Sequence, residues 1–327
     1  MEMKLSLGIT TSMALQKSIN YAKIAEDNDY HRIWVGEDIL SREVFTYSSI
    51  IALKTERIAL ATGITSPYVR NIAVIASNAA GIQILSKNRF TLGLGVGGIP
   101  EIEKLTGKKP EKVIEVMKET VLLLRRIFRG ERITHEGRIA SLKDYKLNIN
   151  LEVEPKIYFG VRGEKLLSLA GEIADGVIFS MPKRYIARAM QIVDEAAERV
   201  GRDKNEIDRV LWNCTVEIES EEDLKLARLV SATIAASIPR SSLSEYIESE
   251  YIEIDQIREK FKAGKYEEAA TMVSEELMKE LCIYGSKREL LHTFNQFKAM
   301  GFREFVIGPP YSKNPEKTII KLGRDKI

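Results

Sequence analysis

Eight times along this chain a short apolar run gives way to a stretch of helix length, and the alternation runs from end to end without a linker. The shortest complete unit spans Lys156 to Ser180. There Lys156 to Phe159 reads as a buried strand, Gly160-Val161-Arg162-Gly163 as a tight turn, Glu164 to Ala174 as a helix, and Val177-Ile178-Phe179 as the next strand. The other strand candidates are Lys4–Ile9, Ile33–Asp38, Ile58–Thr65, Phe90–Val96, Val210–Ile218 and Glu304–Ile307. Their apolar residues are continuous rather than alternating, which suits strands buried on both faces of a parallel sheet. Eight strand–helix units in one chain predict an α/β protein of the (β/α)8 barrel type, a TIM barrel with insertions. The prediction is a single domain over residues 1–327, with excursions at about 131–155, a β-hairpin, and at 239–281, a helical stretch. No GxGxxG follows the first strand, which argues against a dinucleotide-binding open sheet.

Composition narrows the class further. With 49 basic and 47 acidic residues the net charge is +2, which gives no reason to expect a nucleic-acid partner. No apolar run reaches membrane-spanning length, and Met1 to Lys4 does not open a signal peptide. The two cysteines, Cys214 and Cys282, are far apart in sequence, and the three histidines are scattered. A metal site is not expected, and free thiols suit a cytoplasmic protein. Abundant Lys, Glu, Arg and Ile with little Gln fit a thermophile.

In a barrel the site lies at the C-terminal strand ends. These read Gly8-Ile9-Thr10, Gly36-Glu37-Asp38, Gly63-Ile64-Thr65-Ser66, Gly95-Val96-Gly97-Gly98, Gly160-Val161-Arg162, Ser180-Met181 and Gly308-Pro309. Such a ring of glycines predicts that the backbone itself comes close to a flat, bulky ligand. The turn Gly160–Gly163 with the helix behind it offers amide donors and a partial positive charge, and Arg162 and Lys165 add two cations, so an anion site is expected there. Glu37 and Asp38 are the acids at this face, candidates for proton handling or for bonding a ring edge. No nucleophile–histidine set and no strand-end lysine falls on these ends, so the chemistry is expected to be a cofactor's.

The motifs TGITSPYVRNIAVIAS (62–77), ILSKNRFTLGLGVGG (84–98), IFRGERITHEGR (127–138), PKIYFGVRGEKLLSLAGEIADGVIFS (155–180) and CIYGSKRELLHTFNQFKAMGFREFVIGPP (282–310) resemble the bacterial-luciferase-like superfamily. Within it they are similar to the coenzyme F420-dependent methylenetetrahydromethanopterin reductases, over almost the whole chain. The resemblance implies a deazaflavin cofactor, F420, or alternatively FMN. It implies a cis peptide at Gly63-Ile64 behind the ring, with Thr65, Gly97 and Gly98 beside it. It implies a phosphate cradle from Gly160, Val161, Arg162 and Gly163, with Ser180 and Met181 opposite, and a homodimer.

Three positions depart from the resemblance. The reductases have a glutamate near Gly8, an Asp-His pair at Glu37-Asp38, and Gly-Asp at Gly97-Gly98. The cofactor half is kept better than the substrate half, so the expected activity is hydride transfer between reduced deazaflavin and a C=N or C=C bond. The alternatives are an FMN-dependent monooxygenase and a flavin-binding protein without turnover.

Overall fold

The apolar runs pair side by side and in parallel in the computed structural model, which describes residues 3–238 and 251–324. The strands are β1 (Lys4–Thr10), β2 (Arg32–Gly36), β3 (Ala59–Thr62), β4 (Phe90–Leu94), β7 (Lys156–Gly160), β8 (Gly176–Phe179), β9 (Asp208–Glu217) and β11 (Glu304–Tyr311). They follow one another in the order β9-β11-β1-β2-β3-β4-β7-β8, and β8 pairs back onto β9, closing an eight-stranded barrel with no free edge. Helices cover its outside, as the double-sided burial of the strands requires.

Several helices start where a side chain can take the first free amides. Asn71 accepts from Ala73 N at 2.8 Å ahead of Ile72–Leu85, and Ser286 and Glu289 form a capping box ahead of Lys287–Ala299. Residues 131–155 hold an antiparallel hairpin, β5 (Ile133–Glu136) with β6 (Ser141–Tyr145). The alternating Leu147, Ile149 and Leu151 that follow pair with no strand and pack against the core instead. Of the second excursion, 239–250 lies outside the described residues. From Tyr251 to Leu281 three short helices pack on helix Glu221–Ser237 around a second apolar cluster that includes Val216, Ile254, Ile257 and Leu277.

Two elements go beyond the sequence reading. A helix, Ile99–Thr106, follows β4 directly, with Gly98 as its N-cap residue. A ninth strand, β10 (Cys282–Gly285), adds to the C-terminal half of β9 and sets Cys282 in register with Cys214. The two cysteines, distant in sequence, are neighbours in space and both free.

The barrel interior is layered. At its base the Glu304 carboxylate takes bonds from Arg32 (2.9 Å), Ser6 (2.6 Å) and Trp34 Nε1 (2.6 Å), all buried. Asp208 is bonded there by Lys156 (3.0 Å) and the Tyr158 hydroxyl. Above this lies an apolar layer of Trp34, Ala61, Tyr158, Ile178, Val210 and Val306, with Ile64 and Trp212 on top. The base is thus tied by charge, and the mouth is left to glycine and two large side chains.

Candidate active site

The strand ends form the mouth of the barrel, and one side chain dominates it. Trp212, on β9, lies across the ends of three other strands. An ideal Cβ built on Gly8 would stand 2.7 Å from its ring, one on Gly63 2.0 Å, and one on Gly308 2.8 Å. No side chain larger than hydrogen fits at those positions while the indole stays there. The glycine ring therefore does receive a flat group, but on this side the group is the chain's own tryptophan. At Gly8, Gly63 and Gly308 the missing side chain is thus accounted for by the indole. Gly8 is held from behind as well, because the buried Tyr311 hydroxyl donates to its carbonyl.

Ile64 fills the opposite side. Ideal Cβ atoms on Gly95 and Gly160 would meet its side chain at 2.8 and 2.5 Å. The peptide Gly63-Ile64 is cis, as is Pro309-Pro310, and Gly63 N still bonds Val35 O at 2.8 Å. Thr65 bridges to Leu94 beside it. Ile64 and Trp212 are both partly buried, so the mouth has an apolar floor from β3 across to β9.

The two acids at the end of β2 part company. The Glu37 carboxylate is held by Arg70, with one arm at 2.8 Å and a second, shorter one, and by the Thr65 hydroxyl at 3.0 Å. Its side chain is only 2% exposed. A carboxylate so occupied ties the end of β2 to the bulge after β3, and Arg70 is the partner the sequence did not reveal. Asp38 is exposed; its amide bonds the Thr11 hydroxyl at 2.9 Å and its carboxylate accepts from Leu40 N at 3.3 Å.

After β4 the chain turns through Gly97, at φ +88°, into Gly98, and both are exposed. Here Glu101 folds back so that its carboxylate covers Gly98, 2.1 Å from where a Cβ would be. Glu101, in the first turn of the helix that Gly98 caps, thus brings a carboxylate to this strand end.

The turn after β7 carries the cationic group. Arg162 crosses the end of β8 and donates from Nε to Ser180 O at 2.6 Å. Burial pulls its guanidinium below the ordinary arginine range, with the nearby Cys214 opposing. Burial pushes the Cys214 thiol up to about 12, so it stays protonated and gives Arg162 no counter-charge. No carboxylate pairs with Arg162 among the described residues. Beside it Gly163 caps helix Glu164–Ile173 with empty space where a Cβ would be, and its carbonyl already takes Leu166 N and Leu167 N. A half-buried guanidinium with no counter-charge, next to an open helix N-terminus, fits an anionic group such as a phosphate. Val161 and Met181 are buried on either side and pack into the core.

The model of the family described as luciferase-like monooxygenase matches residues 3–304. Over 314 residues, 95% of each chain, the sequence is 29% identical to the 5,10-methylenetetrahydromethanopterin reductase of Methanolobus tindarius. It is 29% identical over 332 residues, 99% of each chain, to that of Archaeoglobus fulgidus. The solved coenzyme F420-dependent tetrahydromethanopterin reductase of Methanopyrus kandleri superposes with a TM-score of 0.90 at 22% identity, over 99% of this chain and 98% of that one.

Proposed function

The chain belongs to the luciferase-like family of flavin- and deazaflavin-dependent oxidoreductases, and on that premise we propose that it uses coenzyme F420 to reduce a C=N or C=C bond of a small substrate. The observation that carries the reading is Arg162: a half-buried guanidinium with no carboxylate partner among the described residues leaves its charge to a bound anion. Likeness over nearly the whole chain to a reductase named as coenzyme F420-dependent favours the deazaflavin over FMN.

Bound at the mouth, the reduced deazaflavin supplies the hydride. Arg162 and the first amides of helix Glu164–Ile173 would hold its phosphate, and Gly160 and Gly163 leave the backbone free to approach it. The face of Ile64 would take the ring, with Gly97 and Gly98 at its border. The apolar floor excludes water from the face where the hydride moves. Asp38, exposed after β2, and Glu101, over Gly98, are the carboxylates that would exchange a proton with the substrate.

Titration of the purified protein with F420, FMN and FAD tests the reading. F420 is expected to bind tightest, and preference for FMN would favour the monooxygenase alternative.

A further inference from the structure

We propose that Trp212 sets the substrate class: a flat, uncharged, conjugated carbonyl compound that lies against the indole and accepts a hydrogen bond from its Nε1–H. The inference rests on the oxidoreductase reading and makes it more specific.

The first ground is room. The indole occupies the space above Gly8, Gly63 and Gly308. A carboxylate at position 8 would collide with it. A substrate head rich in N–H donors, which needs a buried acid, would be desolvated there without a partner. The surface left to it is aromatic, and aromatic surface favours planar groups that stack in an offset or tilted manner.

The second ground is the N–H itself. The chain has two tryptophans. Trp34 is fully buried and spends its Nε1–H on Glu304 at 2.6 Å. Trp212, tilted 59° to it with ring centroids 6.1 Å apart, has no acceptor among the described residues. Its nitrogen, beside Gly8 and Gly308, is also not one of the sealed, unpartnered polar atoms, so it remains accessible. A tryptophan in a half-buried setting normally finds an acceptor for this donor. Here the donor is free, fixed by packing against three glycines, and set in an apolar surround where a hydrogen bond counts for more than in water. A carbonyl oxygen is the acceptor that such a neutral donor suits.

The third ground is charge. Glu37 is neutralised by Arg70, and the charge of Arg162, in the turn after β7, is taken up by the cofactor's phosphate in the proposed complex, so neither is left to a charged substrate.

The test uses protein saturated with oxidised F420 and labelled with 15N at the tryptophan indoles. The Trp212→Phe variant identifies which of the two indole N–H resonances is which. Adding 2-cyclohexen-1-one is expected to move the Trp212 resonance and leave that of Trp34 in place, whereas cyclohexene, which lacks the carbonyl, moves neither. With reduced F420, Trp212→Phe keeps the ring and loses the donor, so KM for the enone is expected to rise about 3- to 10-fold, the weight of one hydrogen bond. Trp212→Ala loses the stacking as well and is expected to raise it further, with circular dichroism checking that it folds. An unmoved Trp212 resonance together with an unchanged KM in Trp212→Phe overturns the inference. Failure of F420 to bind the wild-type protein is a separate result and overturns the oxidoreductase reading beneath it.

Discussion

Arg70 clasps Glu37 with both arms of its guanidinium at the end of β2, and the two side chains are 14% and 2% exposed. The same arginine donates to the Thr65 hydroxyl at 2.9 Å, so one ion pair ties the end of β2 to the bulge after β3. A buried pair of this kind matters most when it is broken, since the remaining charge has nowhere to go.

Arg70→Met is therefore expected to lower stability by about 3–5 kcal/mol, because it strands a buried carboxylate. Glu37→Gln in the Arg70→Met background removes that charge and should recover much of the loss. Urea unfolding of the two variants measures both, and a loss in Arg70→Met below about 1 kcal/mol would show the pair to be ornamental.

His31 gives the fold a pH dependence. Burial, together with Arg32 and Lys4 and against the pull of Glu304, lowers its pKa to about 4 from the ordinary 6.5. The folded state thus prefers neutral histidine, while the unfolded chain takes up a proton below 6.5. The stabilising contribution is complete above pH 6.5 and is lost as pH falls toward 4. The difference of about 2.5 units corresponds to about 3 kcal/mol. His31→Gln should flatten the stability curve between pH 7 and 4 in denaturant titrations, and an unaltered slope would remove His31 from the account.

How much of this was legible beforehand varies with the range of the interaction. The repeating strand–helix pattern is local, so the barrel and its mouth follow from the order of residues. Strand β10 is not legible in the sequence because Cys282–Gly285 is short and its partner, Cys214–Glu217, is distant along the chain. The turn Gly160–Gly163 was readable because glycine, arginine and the helix start are contiguous. Arg70, Glu101 and Trp212 were not, since each acts across a loop or across the barrel on a residue of another unit. The glycine ring illustrates the limit well. Glycine reports that something approaches the backbone, but not whether it is a ligand or the chain's own side chain.

The assembly is a proposal drawn from the helices Val44–Lys54 and Ile72–Leu85. Leu53, Val74 and Ile84 are 66%, 49% and 53% exposed, and Gly81 has no neighbour within 4 Å of its missing Cβ. An apolar face with a small residue at its centre suits close approach by a second copy. Sedimentation at micromolar concentration should give a dimer for the native sequence and a monomer for Ile84→Glu. A monomeric native chain would refute it.

Arg162 bears most of the proposed anchoring. Arg162→Glu removes a charge-assisted bond and adds repulsion, so F420 affinity should fall by about 1–3 kcal/mol while the far-ultraviolet spectrum is unchanged. Affinity equal to the native value in isothermal titration would move the phosphate elsewhere.

The most direct test of the account is a comparison of cofactors under anaerobic conditions. Reduced F420 should bind with a Kd of about 1 μM or below, about −8 kcal/mol or better. Stopped-flow absorbance should then show its reoxidation by an activated alkene or imine without oxygen, and slow or no reoxidation by methylenetetrahydromethanopterin. Tighter binding of FMN than of F420, with turnover that requires oxygen, would contradict the account.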